Sequence, residues 1–233
     1  MIPRIGLYAT AVLALAACVS SGCSKKSSPT TPNPGNGAPR ASSPSQALRR
    51  FEFANDNRDA NVYKDLFSSD FEFEFVPGDS AGIPYLVTPW NRTDELAYFD
   101  HLVHGGTASQ PGATAIQLAL AGTFTENDDP RPGKNPRWHK TINSSVVLIA
   151  NFSDGSTADI TGNCDFFFVR GDSAAIPVDL GVGPDSTLWY MDLWQDDTAP
   201  PVGPSPFSIR PARVAHPTPI TNNSWGRLKG KYR

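Results

Sequence analysis

Two histidines, His101 and His104, are the residues whose type and spacing come closest to a metal site. They lie three positions apart in a stretch with helical periodicity, so both side chains lie on one side of the helix. A zinc site needs a third ligand, and Asp100 and His139 are the nearest candidates. No spacing motif links these residues. The sequence therefore predicts no metal and no cofactor, and a helix end whose dipole favours histidine explains the pair.

Nucleophilic and phosphate chemistry have no motif in this chain. The sequence holds no nucleophile elbow, no phosphate-binding loop and no Cys/His pair, so we predict no catalytic residue. Cys164 lies in an apolar run and is expected to be buried as a small hydrophobic side chain. Its only candidate partners, Cys18 and Cys23, lie in the leader, so no structural disulfide is expected.

Charge is divided unevenly along the chain. All 23 acidic residues lie at or before Asp197. The basic residues that follow it are Arg210, Arg213, Arg227, Lys229, Lys231 and Arg233. An acidic body disfavours nucleic acid as a partner, because phosphate binding needs a basic face. The basic tail either docks on the acidic body or contacts anionic lipid, and docking is the simpler interpretation.

The first residues are typical of an export signal. Arg4 precedes an uncharged apolar run over residues 5–17, which is too short to be a stable membrane span. Residues 15–18 (LAAC) resemble a bacterial lipobox, so Cys18 is the predicted lipid anchor. Residues 20–23 (SSGC) are a weaker version with a polar first position, which makes Cys23 the alternative. We predict a signal peptide at 1–17 and a chain that is lipid-anchored to the cell envelope, at the outer membrane or cell surface; an ordinary secreted protein is the other interpretation.

Composition divides the remaining chain into a tether, a domain and a tail. Residues 18–43 hold almost no large apolar side chain and predict a disordered tether rich in Pro and Ser. Residues 44–197 predict the folded domain, and residues 198–233 a Pro-rich basic tail. The tail ends in Trp225 and Leu228, which predicts a clasp docked on the body, with Arg227, Lys229 and Lys231 near its carboxylates. A frayed terminus is the alternative.

Apolar spacing within the domain changes from helical to alternating. Ser43 is expected to cap a first helix, a second begins near Asp59, and Thr93 caps a third over residues 91–104. Strands are predicted at residues 71–75, 114–124, 138–152, 158–170 and 188–195. Helices followed by an antiparallel meander predict the α+β class, with a curved sheet wrapped round the helices.

The opening of this domain resembles that of the NTF2-like (SnoaL-like) superfamily. The matching residues are ALRRF at 47–51, NRD at 57–59, Tyr63, LF at 66–67, DFEF at 70–73 and the ending WYMDLW at 189–194. The resemblance implies an α+β cone with N-terminal helices packed in a curved antiparallel sheet. The superfamily includes isomerases, cyclases, epoxide hydrolases, transport factors and non-enzymatic modules, so the fold selects no function. The base of a steroid-isomerase-like relative would fall near Phe75, while Glu74 lies on the opposite face of the strand.

The last two long strands predict a second surface. Side chains expected to face away from the helices are Asn163, Asp165, Phe167, Tyr190, Asp192 and Trp194. This set is interpreted as a partner or ligand face. A homodimer interface is favoured, because exposed large aromatic residues commonly mark association; a ligand surface with an acidic pair is the alternative.

Two functions remain for such a chain. The first is an envelope-anchored, non-catalytic NTF2-like lipoprotein that binds a small apolar ligand or a protein partner. The alternative is a SnoaL-like isomerase or hydrolase that uses a carboxylate inside the cone. A buried carboxylate beside a tyrosine would favour the enzyme, and an interior filled by apolar side chains would favour the binding protein.

Overall fold

The computed structural model describes residues 37–107, 109–198 and 224–233. The predicted signal peptide, both leader cysteines, the tether up to residue 36 and the proline-rich residues 199–223 lie outside the described residues. Within the described ranges, no helix has the length and apolar content to cross a membrane.

The first two helices begin where the sequence predicts, and each has a side-chain cap. Helix α1 (Pro44–Asn57) follows Ser43, whose hydroxyl accepts the backbone N–H of Gln46, and a proline occupies its first turn. Helix α2 (Ala60–Lys64) follows Asp59, whose carboxylate accepts two backbone N–H groups. Both caps satisfy donors that the helix itself leaves unpaired.

The third helix, α3 (Arg92–His104), begins two residues earlier than its predicted cap implies. Asn91 is the cap, because its side chain accepts the N–H groups of Thr93 and Asp94. The Asp94 carboxylate accepts the Asn91 N–H in return, which completes a capping box. The prediction of Thr93 as the cap was therefore wrong, although the extent of the helix was right.

The described residues form one sheet of seven strands. The strands are β1 (Phe67–Glu74), β2 (Trp90–Asn91), β3 (Ala113–Leu120), β4 (Asn127–Asp128), β5 (His139–Phe152), β6 (Thr157–Arg170) and β7 (Trp189–Thr198). Their order is β2-β1-β7-β6-β5-β3, with β4 paired to β5. All pairs are antiparallel except β1 with β7, which is parallel, so the expectation of a wholly antiparallel sheet needs that one correction.

The core lies between the inner face of this sheet and the helices. A fourth helix, α4 (Trp225–Tyr232), packs against α3 and contributes three of its side chains to the same core. The largest fully buried residues are Trp90, Trp194 and Trp225. Helices packed in a curved, unclosed sheet confirm the predicted α+β class.

Candidate functional site

A buried carboxylate, Glu95, lies at the centre of this core. The α3 capping box fixes the first turn of the helix, and Glu95 follows in that turn with its side chain fully buried. The Tyr63 hydroxyl donates to one carboxylate oxygen at 2.5 Å, and Trp90 Nε1 donates to the other at 2.8 Å. Nζ of Lys229 on α4 also donates to that second oxygen. Three donors therefore hold one carboxylate inside the protein.

Four aromatic rings surround the Lys229 ammonium. Its Nζ lies 4.1 Å from the ring centroid of Phe73, 4.2 Å from Trp194, 4.8 Å from Tyr98 and 5.5 Å from Trp90. The lysine side chain is fully buried. Rings at these distances attract a cation through their electron-rich faces. We call these four rings together with Glu95 the aromatic chamber.

Burial shifts the titration of the groups in and beside the chamber. It lowers the pKa of Lys229 to about 8, against the attraction of Glu95, because the charged form loses its hydration. Burial and the Glu95 charge raise the pKa of Tyr63 and Tyr98 well above the ordinary tyrosine value. Burial also raises the pKa of Asp196, although hydrogen bonds from Thr198 and from the Gly226 N–H oppose that rise.

Three buried donors lie in and beside the chamber. The Tyr98 hydroxyl faces the Trp225 indole of α4, and the Trp194 indole faces the Cys164 thiol, but neither contact has full hydrogen-bond geometry. A buried polar group without a partner costs about 1–3 kcal/mol, and native proteins contain few of them.

Both ends of α4 are attached to the domain by hydrogen bonds. At its N-terminus, the backbone N–H of Trp225 donates to Thr198 Oγ1 at 3.0 Å and that of Gly226 to Asp196 Oδ2 at 3.0 Å. At its C-terminus, the Tyr232 hydroxyl donates to the Pro111 carbonyl at 2.6 Å. A carboxylate at a helix N-terminus also interacts favourably with the helix dipole.

The prediction that the end of the tail docks on the body was right, but the predicted surface position of Lys229 was wrong. Trp225 and Leu228 are buried against the body, so the clasp is confirmed for the described residues 224–233. Arg227 lies at the surface with its Nε 4.0 Å from the Asp79 carboxylate, as predicted for the basic residues of the tail. Lys229, which we expected at the same surface, lies inside the core instead.

Two glycines lower the helix propensity of α4 but allow it to pack closely against the domain. Glycine weakens a helix by about 1 kcal/mol relative to alanine, and α4 contains Gly226 and Gly230. A Cβ at Gly226 would approach Phe75 to 2.6 Å, and one at Gly230 would approach the Cβ of Ala81 to 3.2 Å. The spacing of Trp225, Leu228, Lys229 and Tyr232 was the available signal for one buried helical face.

The predicted partner face is only partly exposed. Asn163 is exposed and Asp165 half-buried, but Phe167, Tyr190 and Asp192 are almost fully buried. The loop between β4 and β5 covers part of this face, because the Arg131 guanidinium lies 4.4 Å from the Phe167 ring centroid and within 2.9 Å of the Asp192 carboxylate.

Trp194 does not belong to that face. The pairing of β6 with β7 shifts from Phe167 opposite Leu193 to Phe168 opposite Met191, which leaves Asp192 as an extra residue in β7. Such a bulge reverses the alternation of the side chains that follow. Trp194 therefore lies in the core and Leu193 on the outer face, the reverse of the prediction.

The remaining candidate residues have structural partners. His104 Nδ1 lies 3.0 Å from Asp100, and His101 Nδ1 lies 3.0 Å from the Tyr232 carbonyl oxygen. Among the residues that the structure describes, no group of three or more His, Cys, Asp or Glu side chains is arranged to hold a metal ion. Cys164 is free and fully buried, as predicted. Glu74 accepts a hydrogen bond from Gln195 at 2.5 Å.

A groove of about 470 Å³ opens on the outside of the domain beside β1. Its lining includes Phe75 and Tyr85, whose rings stack with centroids 4.9 Å apart, and the exposed side chains of Ile83 and Leu86. The next residue, Val87, is 92% exposed. An apolar cluster of this kind in contact with solvent is typical of a binding surface.

Comparisons with known proteins identify no family for this chain. No protein-family model matches it, and no curated protein matches it at a significant level.

Solved structures do align with the chain. It aligns with an NTF2-like superfamily protein from Salmonella enterica over 70% of this chain and 92% of that one, with 14% identity and a TM-score of 0.41. A putative scytalone dehydratase from Novosphingobium aromaticivorans aligns over 66% of this chain and 80% of that one, with 13% identity and a TM-score of 0.43. A hexachlorocyclohexane dehydrochlorinase of LinA type 3 from Novosphingobium barchaimii aligns over 65% and 81%, with 7% identity and a TM-score of 0.42. Likeness at this level carries no argument about activity.

Proposed function

We propose that this chain is an envelope-anchored, non-catalytic lipoprotein of the NTF2-like class that binds a small apolar ligand. The anchor is Cys18, with Cys23 as the alternative, on the strength of the lipobox-like residues before each. The non-catalytic part of this proposal rests on the hydrogen bonds that already engage Glu95. The ligand-binding part rests on the groove beside β1.

Glu95 is the buried carboxylate at the centre of the described core, where a cone enzyme would need its base, and its oxygens are already engaged. A general base needs a free oxygen within hydrogen-bond reach of the proton it removes. Here Tyr63, Trp90 and Lys229 donate to the carboxylate, and the side chains of α4 occupy the space in front of it. With Glu95 engaged by these three donors, the aromatic chamber stabilises the fold and offers no free base for catalysis.

The groove has the size and lining of a small-molecule site. Ligand sites are commonly clefts of about 300–1,000 Å³ with apolar and aromatic walls and a few polar groups. The groove offers stacked aromatic rings and two exposed aliphatic side chains, while the exposed carboxylates of Glu72 and Glu74 provide polar groups along its edge. An apolar ligand with a donor or a positive end suits this combination.

Native mass spectrometry of the protein isolated from its own envelope tests the proposal. We expect a bound mass that organic solvent removes. Leu86→Asp should lose that mass, because it places a charge on the apolar wall. Val178→Asp is the matched control, since Val178 is 96% exposed and does not line the groove. A wild-type protein with no adduct, or an adduct retained by Leu86→Asp, would contradict the proposal.

An isomerase or hydrolase is the second candidate, because a buried carboxylate beside a tyrosine is an arrangement that such chemistry uses. The Glu95–Tyr63 contact supplies it. Such an enzyme would require α4 to leave before a substrate could reach Glu95. If the extracted ligand were converted by fresh wild-type protein and not by Glu95→Gln, the enzyme would replace the binding protein as the better description.

A further inference from the structure

We propose that the groove beside β1 and helix α4 are coupled: the docked helix holds one wall of the groove in its ligand-binding shape, and a ligand in the groove in turn holds the helix. This coupling regulates the ligand site and therefore rests on the proposed function. The wall concerned is a short 3-10 helix (Ser80–Tyr85) between β1 and β2, which we call the groove wall. It packs directly against α4.

The caps of these two helices are hydrogen-bonded to each other. Asp79 caps the groove wall, because its carboxylate accepts the Ala81 N–H at 2.9 Å. Ser224 caps α4, because its hydroxyl oxygen accepts the Arg227 N–H at 3.1 Å. The same hydroxyl donates to the Asp79 carboxylate, and both side chains are buried. Departure of α4 would take a donor from a buried carboxylate that lines the groove, which is unfavourable.

The backbone of α4 also packs closely against the groove. A Cβ at Gly226 would lie 2.6 Å from the Phe75 ring, and one at Gly230 would lie 3.2 Å from the Cβ of Ala81. Phe75 lines the groove and stacks on Tyr85, with ring centroids 4.9 Å apart. Glycine at these two positions therefore lets the helix approach a ring that the ligand would contact.

The C-terminal end of α4 contacts the second of the stacked rings. The Arg233 guanidinium lies 5.0 Å from the Tyr85 ring centroid, a distance at which the ring face attracts a cation. Lys231 is also exposed, but its Nζ lies 5.3 Å from the Phe152 ring, which does not line the groove. One basic residue at this end of the helix therefore contacts the groove and the other does not, which provides a matched pair of variants.

Helix α4 depends on docking for its own structure. It has eight residues, two of them glycines, whereas isolated helices shorter than about 12–15 residues are marginal in water. Docking also removes Lys229 from water, which opposes it. Local opening of α4 is therefore the motion that releases the groove wall. A ligand that binds only the docked state must oppose this opening, because coupling between two sites is reciprocal.

Amide hydrogen exchange of the full chain tests the coupling, with N-phenyl-1-naphthylamine as the probe. This fluorescent amine is apolar and has an N–H donor for the carboxylates at the groove edge, and fluorescence titration gives its dissociation constant. At a free concentration about ten times that constant, exchange of the α4 amides should slow about tenfold, because only the docked state binds the probe. The amides of α2, which contributes no residue to the groove, should be unaffected.

Point variants of the full chain locate the coupling. Ser224→Ala should speed exchange of α4 about tenfold without probe, because a hydrogen bond to a charged group is lost, and should leave β5 and β6 unchanged. Arg233→Ala should weaken probe binding about threefold, the effect of an exposed cation–π contact. Lys231→Ala is its matched control and should bind as the wild type does. Leu86→Asp should abolish both the binding and the slowed exchange.

The outcomes separate the coupling from the ligand site itself. If Leu86→Asp abolishes probe binding but the probe does not slow exchange of α4, the groove is independent of the helix; the coupling is then wrong and the ligand groove stands. Equal slowing of α2 and α4, or equal weakening by Arg233→Ala and Lys231→Ala, would also overturn the coupling. A wild type that binds no probe contradicts the ligand groove, and the coupling with it. Exchange in the wild type decides the question even if Ser224→Ala fails to fold.

Discussion

Replacement of Trp225 by alanine should destabilise the domain more than any other change in residues 224–233. The side chain is fully buried, and its ring centroid lies 4.4 Å from that of Trp194 and 6.0 Å from that of Phe51. Truncation of a buried tryptophan to alanine costs about 3–5 kcal/mol, because apolar contacts are lost and a cavity remains. In a domain of this size, about 1 kcal/mol shifts the melting temperature by roughly 2–4 °C. We therefore expect a fall of about 10 °C.

Thermal unfolding followed by circular dichroism gives the measurement. Trp138→Ala is the control, because Trp138 is only partly buried, and its cost should be much smaller. Truncation after Asp197 removes the same contacts together with Leu228 and Tyr232, and should lower the melting temperature at least as far. An unchanged melting temperature in both Trp225→Ala and the truncated chain, with Trp225 fluorescence typical of full exposure in the intact protein, would refute the docking of α4.

Three further predictions concern the anchor, the sheet face and the buried lysine. Cys18→Ser should release the protein from membranes or block its processing, and lipidation that continues unchanged at Cys23 would identify the wrong choice of cysteine. Sedimentation of the untethered domain should give a dimer at micromolar concentration that Asn163→Arg disrupts; a strict monomer would exclude the interface. The free energy of unfolding should rise between about pH 8 and pH 9.5, because the pKa of Lys229 is about 8 when folded and near 10.5 when unfolded, so the unfolded chain binds more protons in that range. Over these pH values the rise is at most about 2 kcal/mol, and Lys229→Met should abolish it in chemical denaturation at each pH.

Most of the secondary structure followed from local patterns. The caps at Ser43 and Asp59, the strict alternation of β1 and the turn at Gly155 between β5 and β6 each act within a few residues, so their signals are readable in the chain. The bulge at Asp192 was not readable, because it depends on how β7 meets β6. Because of this one extra residue, regular alternation predicts Trp194 on the outer face, whereas the side chain lies in the core.

The candidate site was the less predictable part for a different reason. In the sequence, Glu95 is only an acidic residue in the first turn of a helix, where it suits the helix dipole. Lys229 was seen only as one charge in a basic tail. Their contact joins residues 134 positions apart in the chain, and neither residue carries a local mark of burial. Long-range pairing of this kind leaves no periodic signal in a single sequence.

The position of α4 in the chain also determines the order in which the domain is completed. Synthesis runs from the N-terminus, and every strand of the described sheet precedes residue 199. Before residues 224–232 are made, the chain lacks the lysine that contacts Glu95 and the indole ring that packs against both Phe51 and Trp194. Contacts with so large a sequence separation slow folding, because loop closure comes before the contact is gained. The last ten residues of the chain therefore supply both the cation and the aromatic ring that complete a core built from the rest of it.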